Sequence, residues 1–213
     1  MKKENISIKW KIYFLICVIT VIICSIVQKN NFFMLLSSVC GVIYVLFNAK
    51  GIKYSFLFGI INALTYGIIL VMEKMYGSAC YNLLYVLPML IYGYFKVSKE
   101  KEFKINRLEN NVRIYIAGVF ITLVVGIAII LKIFGGNLVV LDSISTIGGF
   151  LAVFLLSNRY IEQWPVFILV NIAGVITWSI LTFENILNLP MLLTWIIYTI
   201  NSVYGQITWL RKK

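Results

Sequence analysis

Histidine is absent from this chain of 213 residues, and only 8 residues are acidic. Charged residues make up 13% of the sequence, where a soluble domain carries about 25% to keep its surface wet. With 61% hydrophobic residues, neither a water-soluble globule nor a disordered chain fits. The four cysteines, Cys17, Cys24, Cys40 and Cys80, each fall inside an apolar run and form no CxxC pair. That excludes a zinc site and a disulfide scaffold and leaves buried free thiols; no metal or cofactor is expected. Hydrolytic or acid–base chemistry inside a membrane needs a nucleophile beside a base or a paired acid, and no span holds such a set, so the chain does not read as an enzyme.

Basic residues are what the chain does have: 19 Lys and Arg, for a net charge of +11. They lie between long apolar runs rather than along one patch, a placement that sets membrane orientation and does not bind nucleic acid. Runs long enough to cross a bilayer occur at 10–28, 32–49, 54–72, 78–97, 112–133, 138–157, 163–183 and 188–209. With the N-terminus in the cytoplasm, 16 of the Lys and Arg fall on the inner side and only Lys29, Lys74 and Lys132 on the outer side. The sequence therefore predicts an all-α, polytopic membrane protein with eight spans and both termini cytoplasmic. After the first run, Cys24-Ser25-Ile26-Val27-Gln28 has no small-x-small site, so no cleaved signal peptide is expected.

The two halves resemble each other. Ser55–Asn62 leads to a helix ending Ile91-Tyr92-Gly93, and Trp164–Asn171 leads to one ending Val203-Tyr204-Gly205. Pairing Asn62 with Asn171 gives an offset of 109, and pairing Gly93 with Gly205 gives 112. The charge pattern runs helices 2–4 and 6–8 in the same directions, as a parallel duplication requires. Small transporters built this way bind substrate between their halves and alternate access by rocking them.

Polar residues inside the spans are mostly amides and aromatics. Asn62, Asn82, Asn171 and Asn201 occupy the third, fourth, seventh and eighth helices, accompanied by Tyr66, Tyr85, Trp178, Trp195, Tyr198 and Tyr204. A buried amide needs a partner, which is either a neighbouring helix or a ligand in a shared wet cavity. Trp164, Phe167 and Asn171 share one face at i, i+3 and i+7; Tyr198 and Asn201 share another with Trp195. Rings beside amides suit a planar heterocycle, stacked on its face and bonded at its edge. An interfacial aromatic belt explains Trp10 and Trp209 equally well, and Trp164 in part. No Asp, Glu, Lys or Arg lies near the middle of a span, so the sequence favours an uncoupled facilitator.

At these motifs the chain resembles the PnuC family of nicotinamide riboside transporters and their vitamin-transporting relatives. The matching residues are Phe58-Gly59-Ile60-Ile61-Asn62, Tyr76-Gly77 with Asn82 and Tyr85, Pro88 and Gly93. In the second half they are Arg159–Trp164, Asn171, Asn201, Tyr204-Gly205 and Trp209. The resemblance implies two three-helix bundles joined by a linking helix, a plan similar to the SWEET transporters. On that plan, 1–31 is an additional N-terminal span, 32–97 the first bundle, 98–137 a cytoplasmic loop and linker helix, and 138–213 the second bundle with its basic end. It also implies facilitated diffusion across a bacterial inner membrane, with the vitamin retained by phosphorylation inside. It implies substrate contact by the α-helical run Trp164, Phe167 and Asn171, and the amides and rings add Tyr198, Asn201, Asn62, Asn82 and Tyr85 as candidate substrate-binding residues. Phe167 stands where the family motif has a second Trp, and relatives of similar fold carry thiamine, riboflavin or deoxynucleosides.

A non-transporting membrane scaffold or sensor is the competing class; it has no need of amides on repeat-related helices. Lipid-facing and subunit-facing apolar surfaces share one composition, so a homo-oligomer fits the sequence as well as a monomer.

Overall fold

The structure, a computed structural model, describes residues 8–27, 32–72, 81–99, 104–135, 138–184 and 189–211. Among the described residues eight helices follow one another: α1 (Ile8–Val27), α2 (Phe32–Lys50), α3 (Ser55–Met72), α4, α5 (Asn110–Ile133), α6 (Val139–Ser157), α7 (Gln163–Glu184) and α8 (Leu189–Arg211). Helix α4 opens as π-helical turns over Tyr81–Val86 and continues as α-helix over Leu87–Lys99. Their ends fall within three residues of the apolar runs. Among the described residues no strand forms. Helices α5, α6 and α7 are long and apolar enough to cross a membrane, and shorter apolar stretches, Trp10–Ile23, Leu35–Lys50 and Ser55–Ile69, lie in α1–α3. At about 1.5 Å per residue, a helix of about 20 residues matches the hydrocarbon thickness of a bilayer.

The chain divides into two compact units, Met1–Lys104 and Ile105–Lys213. In the first, α1 packs on α2, α2 on α3 and α3 on α4. In the second, α5 packs on α6, α6 on α7 and α7 on α8. Helix α7 turns an apolar stripe outward, Leu169, Ile172, Ile176 and Ile180. In water that stripe would be a liability; in lipid it is the ordinary outer surface.

The π-helical opening of α4 has a local cause. Pro88 has no N–H to donate and its ring crowds the carbonyl four residues back, so an α-helical register cannot run unbroken through Leu84. Widening the turns before it relieves that clash.

One turn is built twice. Helix α2 ends at Gly51 in the left-handed conformation (φ 72°), with Gly51 N–H bonded to Asn48 O at 2.9 Å and Ile52 N–H to Phe47 O at 3.0 Å. Helix α6 ends the same way at Arg159 (φ 54°), with Arg159 N–H to Leu156 O at 2.9 Å and Tyr160 N–H to Leu155 O at 2.9 Å. Both are Schellman endings, in which a left-handed residue lets the chain turn back and satisfy the last carbonyls. The bonds that start the next helices also match: Ser55 N–H to Ile52 O beside Gln163 N–H to Tyr160 O, and Phe56 N–H to Lys53 O beside Trp164 N–H to Ile161 O. Every one of these pairs is 108 positions apart, which fixes the register of the repeat.

The polar stretch before α5 is an extended arm. Asn106 forms an isolated parallel bridge with Tyr160, donating its N–H to Arg159 O at 2.9 Å and accepting from Ile161 N–H at 3.0 Å. Its side-chain Nδ2 donates to Asn158 O at 2.7 Å. Glu162 closes the junction: its Oε1 accepts from Leu108 N–H at 3.3 Å and Arg113 Nε at 2.9 Å, and pairs with Arg113 NH2 at 2.7 Å.

The belt reading of Trp10 and Trp209 is corrected by their burial. Trp10 stacks on Phe14 at 5.4 Å and lies under the Lys50 ammonium at 5.6 Å. Trp209 meets Trp164 edge to face at 5.5 Å. Both rings fill helix crossings instead of facing headgroups. Cys17 and Cys40 are buried free thiols, as expected; Cys80 lies outside the described residues.

Candidate functional site: the α7–α8 face and its counterpart in the first half

Helix α7 begins where the α6 turn delivers Gln163 and Trp164 to the interior, and its helical period then brings Asn171 and Gly174 to the same side. Trp164 is 1% exposed and Asn171 5%, while Phe167 is half-buried beside Trp164 at 6.4 Å between ring centroids. Helix α8 presents Asn201, Ser202 and Gly205 as buried residues, with Tyr198 half-buried and Val203 and Ile207 facing out. The two faces are locked by close approaches. A Cβ at Gly205 would stand 2.5 Å from the Trp164 ring, and one at Gly174 would run into the Trp195 ring. Trp195 in turn meets Tyr198 edge to face at 6.2 Å.

Between these crossings Asn171 reaches α8: its Nδ2 donates to Ser202 Oγ at 2.8 Å. In the first unit Asn62 is half-buried on α3 and turns to α2, where its Nδ2 donates to Ser37 O at 2.8 Å and Ser37 Oγ at 3.1 Å. Asn82 and Tyr85 ride on the π-helical turns of α4, half-buried, with Tyr85 stacked on Tyr81 at 5.9 Å. Tyr66 is exposed on α3. A shallow apolar groove on α5, lined by Tyr115, Gly118, Val119, Thr122 and Leu123, contains none of these residues.

The turn register corrects the pairing of the two asparagines. At an offset of 108, Asn62 corresponds to Val170 and Asn171 to Ala63. One residue is about 100° of helix rotation, enough to change the neighbour a side chain meets. Val170 accordingly packs toward α6, over Gly148, as Asn62 packs toward α2. Asn171 points to α8 instead. The asparagines are thus two separate installations, each with its own serine.

Ser37 and Ser202 were not among the residues singled out from the sequence. The available signal was a polar doublet inside an apolar run, Ser37-Ser38 and Asn201-Ser202. The carboxylates stand where the sequence put them: Asp142 in the first turn of α6, Glu162 just before α7 and Glu184 as its last residue. Glu162 is engaged by Arg113, which leaves it a structural role.

The eight helices, the duplicated turn and the amide–aromatic faces can be set beside known proteins. The model of the nicotinamide mononucleotide transporter family matches residues 31–211. The chain belongs to this family. It is 31% identical over 186 residues to the nicotinamide riboside transporter PnuC of Neisseria mucosa, covering 81% of this chain and 70% of that protein. It is 24% identical over 221 residues to the PnuC of Haemophilus influenzae, covering 98% and 94%. A crystal structure of the vitamin B3 transporter PnuC superposes with a TM-score of 0.78 at 26% identity, over 97% of this chain and 92% of that one. The family model begins at residue 31, just before α2, while the structural match covers nearly the whole chain. The protein is a multi-pass cell-membrane transporter and not an enzyme.

Proposed function

We propose that the protein is a facilitator for an unphosphorylated nicotinamide nucleoside, nicotinamide riboside or a near analogue. On this reading it works as a uniporter by alternating access, and phosphorylation in the cytoplasm retains the substrate. The observation that carries the proposal is the α7–α8 face, where Asn171, Asn201 and Ser202 are buried beside Trp164, Phe167 and Tyr198. Aromatic faces stack a planar ring and attract a positive one, while the amides bond its edge or a ribose hydroxyl. Asn62, Asn82 and Tyr85 are the first unit's own candidates for substrate contact.

A mononucleotide fits this chemistry less well than its nucleoside. A phosphate dianion needs Arg, Lys or a cluster of N–H donors to leave water, and no Lys or Arg lies near the middle of a span. The same composition supports transport without ion coupling. Both termini are assigned to the cytoplasm on the distribution of 16 basic residues inside against 3 outside.

Purified protein in liposomes tests the proposal with radiolabelled nicotinamide riboside, thiamine, riboflavin and deoxynucleosides. The expected result is saturable uptake of nicotinamide riboside that ignores proton and sodium gradients. Saturable uptake of thiamine alone would reassign the substrate to the Phe167 variant of the site; no saturable uptake of any of them would sink the transport reading.

A further inference from the structure

Two turns of one shape are made from residues of unequal tolerance. Gly51 takes the left-handed conformation (φ 72°) with no side chain to obstruct it, whereas Arg159 takes it (φ 54°) with a Cβ crowding the carbonyl that follows. Such a residue stays left-handed only where its surroundings hold it there. Around Arg159 the arm before α5 supplies the hold, all within the second unit. Asn106 Nδ2 donates to Asn158 O at 2.7 Å, Asn106 N–H donates to Arg159 O at 2.9 Å, and Asn106 O accepts from Ile161 N–H at 3.0 Å. One residue of the arm thus bonds the turn before, at and after the strained position. Leu108 N–H and Arg113 then tie the next residue, Glu162. Among the described residues the Gly51 turn has no such bridge, and a glycine needs none.

We propose that Asn106 is a positioning residue: it holds Arg159 left-handed, and through that turn it sets where α7 begins and how Trp164 and the residues beyond it are presented. The lever is short. Tyr160 O accepts from Gln163 N–H and Ile161 O from Trp164 N–H, each at 3.2 Å, so the residues next to Arg159 are the ones that start α7. A turn that relaxed would carry that start with it. The inference rests on the reading of the protein as a nicotinamide nucleoside carrier and deepens it, because α7 bears half of the proposed substrate face.

A double-mutant cycle tests this, read by calorimetric binding of nicotinamide riboside and by hydrogen exchange at the Tyr160 amide, whose bond to Leu155 O closes the turn. With Arg159 in place, Asn106→Ala is expected to weaken binding and to speed exchange at Tyr160, each about three- to tenfold, as one lost hydrogen bond allows. Arg159→Gly alone gives the baseline for losing a side chain that is 6% exposed. On that baseline Asn106→Ala should change either readout less than about twofold, since glycine holds the turn without help. A residue that merely adds stability would cost the same on both backgrounds. Arg159→Asn, which also visits the left-handed region, takes the place of Arg159→Gly if that variant does not fold. Equal losses on both backgrounds, or wild-type binding or exchange in Asn106→Ala, overturn the positioning role while the carrier reading stands. If the wild-type protein fails to bind nicotinamide riboside, the carrier reading falls, and the exchange cycle alone decides whether Asn106 holds the turn.

Discussion

The indole of Trp164 lies against Gly205, with two of its ring carbons 2.5 Å from where a Cβ would stand. Phe56 holds the same place over Gly93 in the first half, and the turns that deliver the two aromatics are 108 positions apart. An added methyl has nowhere to go in either crossing. Gly205→Ala and Gly93→Ala are each expected to destabilise by about 1–3 kcal/mol through overpacking. Gly118→Ala on α5, where a Cβ meets nothing within 4 Å, should be neutral or gain up to about 1 kcal/mol from helix propensity. Thermal unfolding in detergent reads all three, and equal melting temperatures for Gly205→Ala and Gly118→Ala would contradict the close packing.

Asn171→Leu removes one interhelical bond and, on the proposed reading, a polar contact to substrate. The fold should lose only about 0.6–2 kcal/mol, since Ser202 can turn its hydroxyl back on its own helix. Substrate affinity should fall roughly five- to 150-fold, the equivalent of about 1–3 kcal/mol for a polar group left unpaired. Ile172→Ala, one residue along on the outward stripe, is the matched control and should leave affinity unchanged. If both variants bind substrate like wild type, Asn171 serves packing alone.

Glu162→Gln breaks the ion pair with Arg113 but keeps an acceptor for Leu108 N–H. Because the Arg113 side chain is 42% exposed, the loss should stay below about 1 kcal/mol and shrink further in high salt. Uptake by this variant and by Asp142→Asn should remain indifferent to a proton gradient. A variant that abolished a pH-driven accumulation while leaving exchange intact would expose a coupling carboxylate.

The charge distribution predicts that a reporter fused at Lys213 is cytoplasmic and that a cysteine placed beside Lys29 is labelled from outside. External labelling of a C-terminal tag in intact cells would invert the topology.

Helix positions were legible from the sequence because a span is defined by one bulk property over about 20 residues, and bulk properties survive local irregularity. The run at 32–49 became Phe32–Lys50 and that at 163–183 became Gln163–Glu184. Register within the repeat was harder to read. Matching Asn62 to Asn171 aligned the rare polar letters, but apolar neighbours carry no mark of phase, and the duplicated hydrogen bonds at Gly51 and Arg159 set the offset one residue away. A left-handed arginine does not announce itself, whereas Gly51 does. The extended arm at Asn106 was equally hidden, because its partners at Arg159 and Ile161 lie more than fifty residues away. Of the candidate site, the amides and rings were visible as residue types; the serines that bond the amides were not, since a serine in a helix usually bonds its own backbone.

Carboxylates confined to helix ends have an electrical consequence. Asp142, Glu162 and Glu184 stay at the boundaries, and the middles of the spans hold no Asp, Glu, Lys or Arg. The carrier's own rearrangement then moves almost no charge through the membrane field, and its empty return step is insensitive to voltage. A cationic nucleoside carries the single moving charge itself, so the loaded step alone responds to the potential. At about 2.3 kcal/mol per 100 mV, an interior-negative potential of about 60 mV would concentrate such a substrate roughly tenfold without any coupling ion.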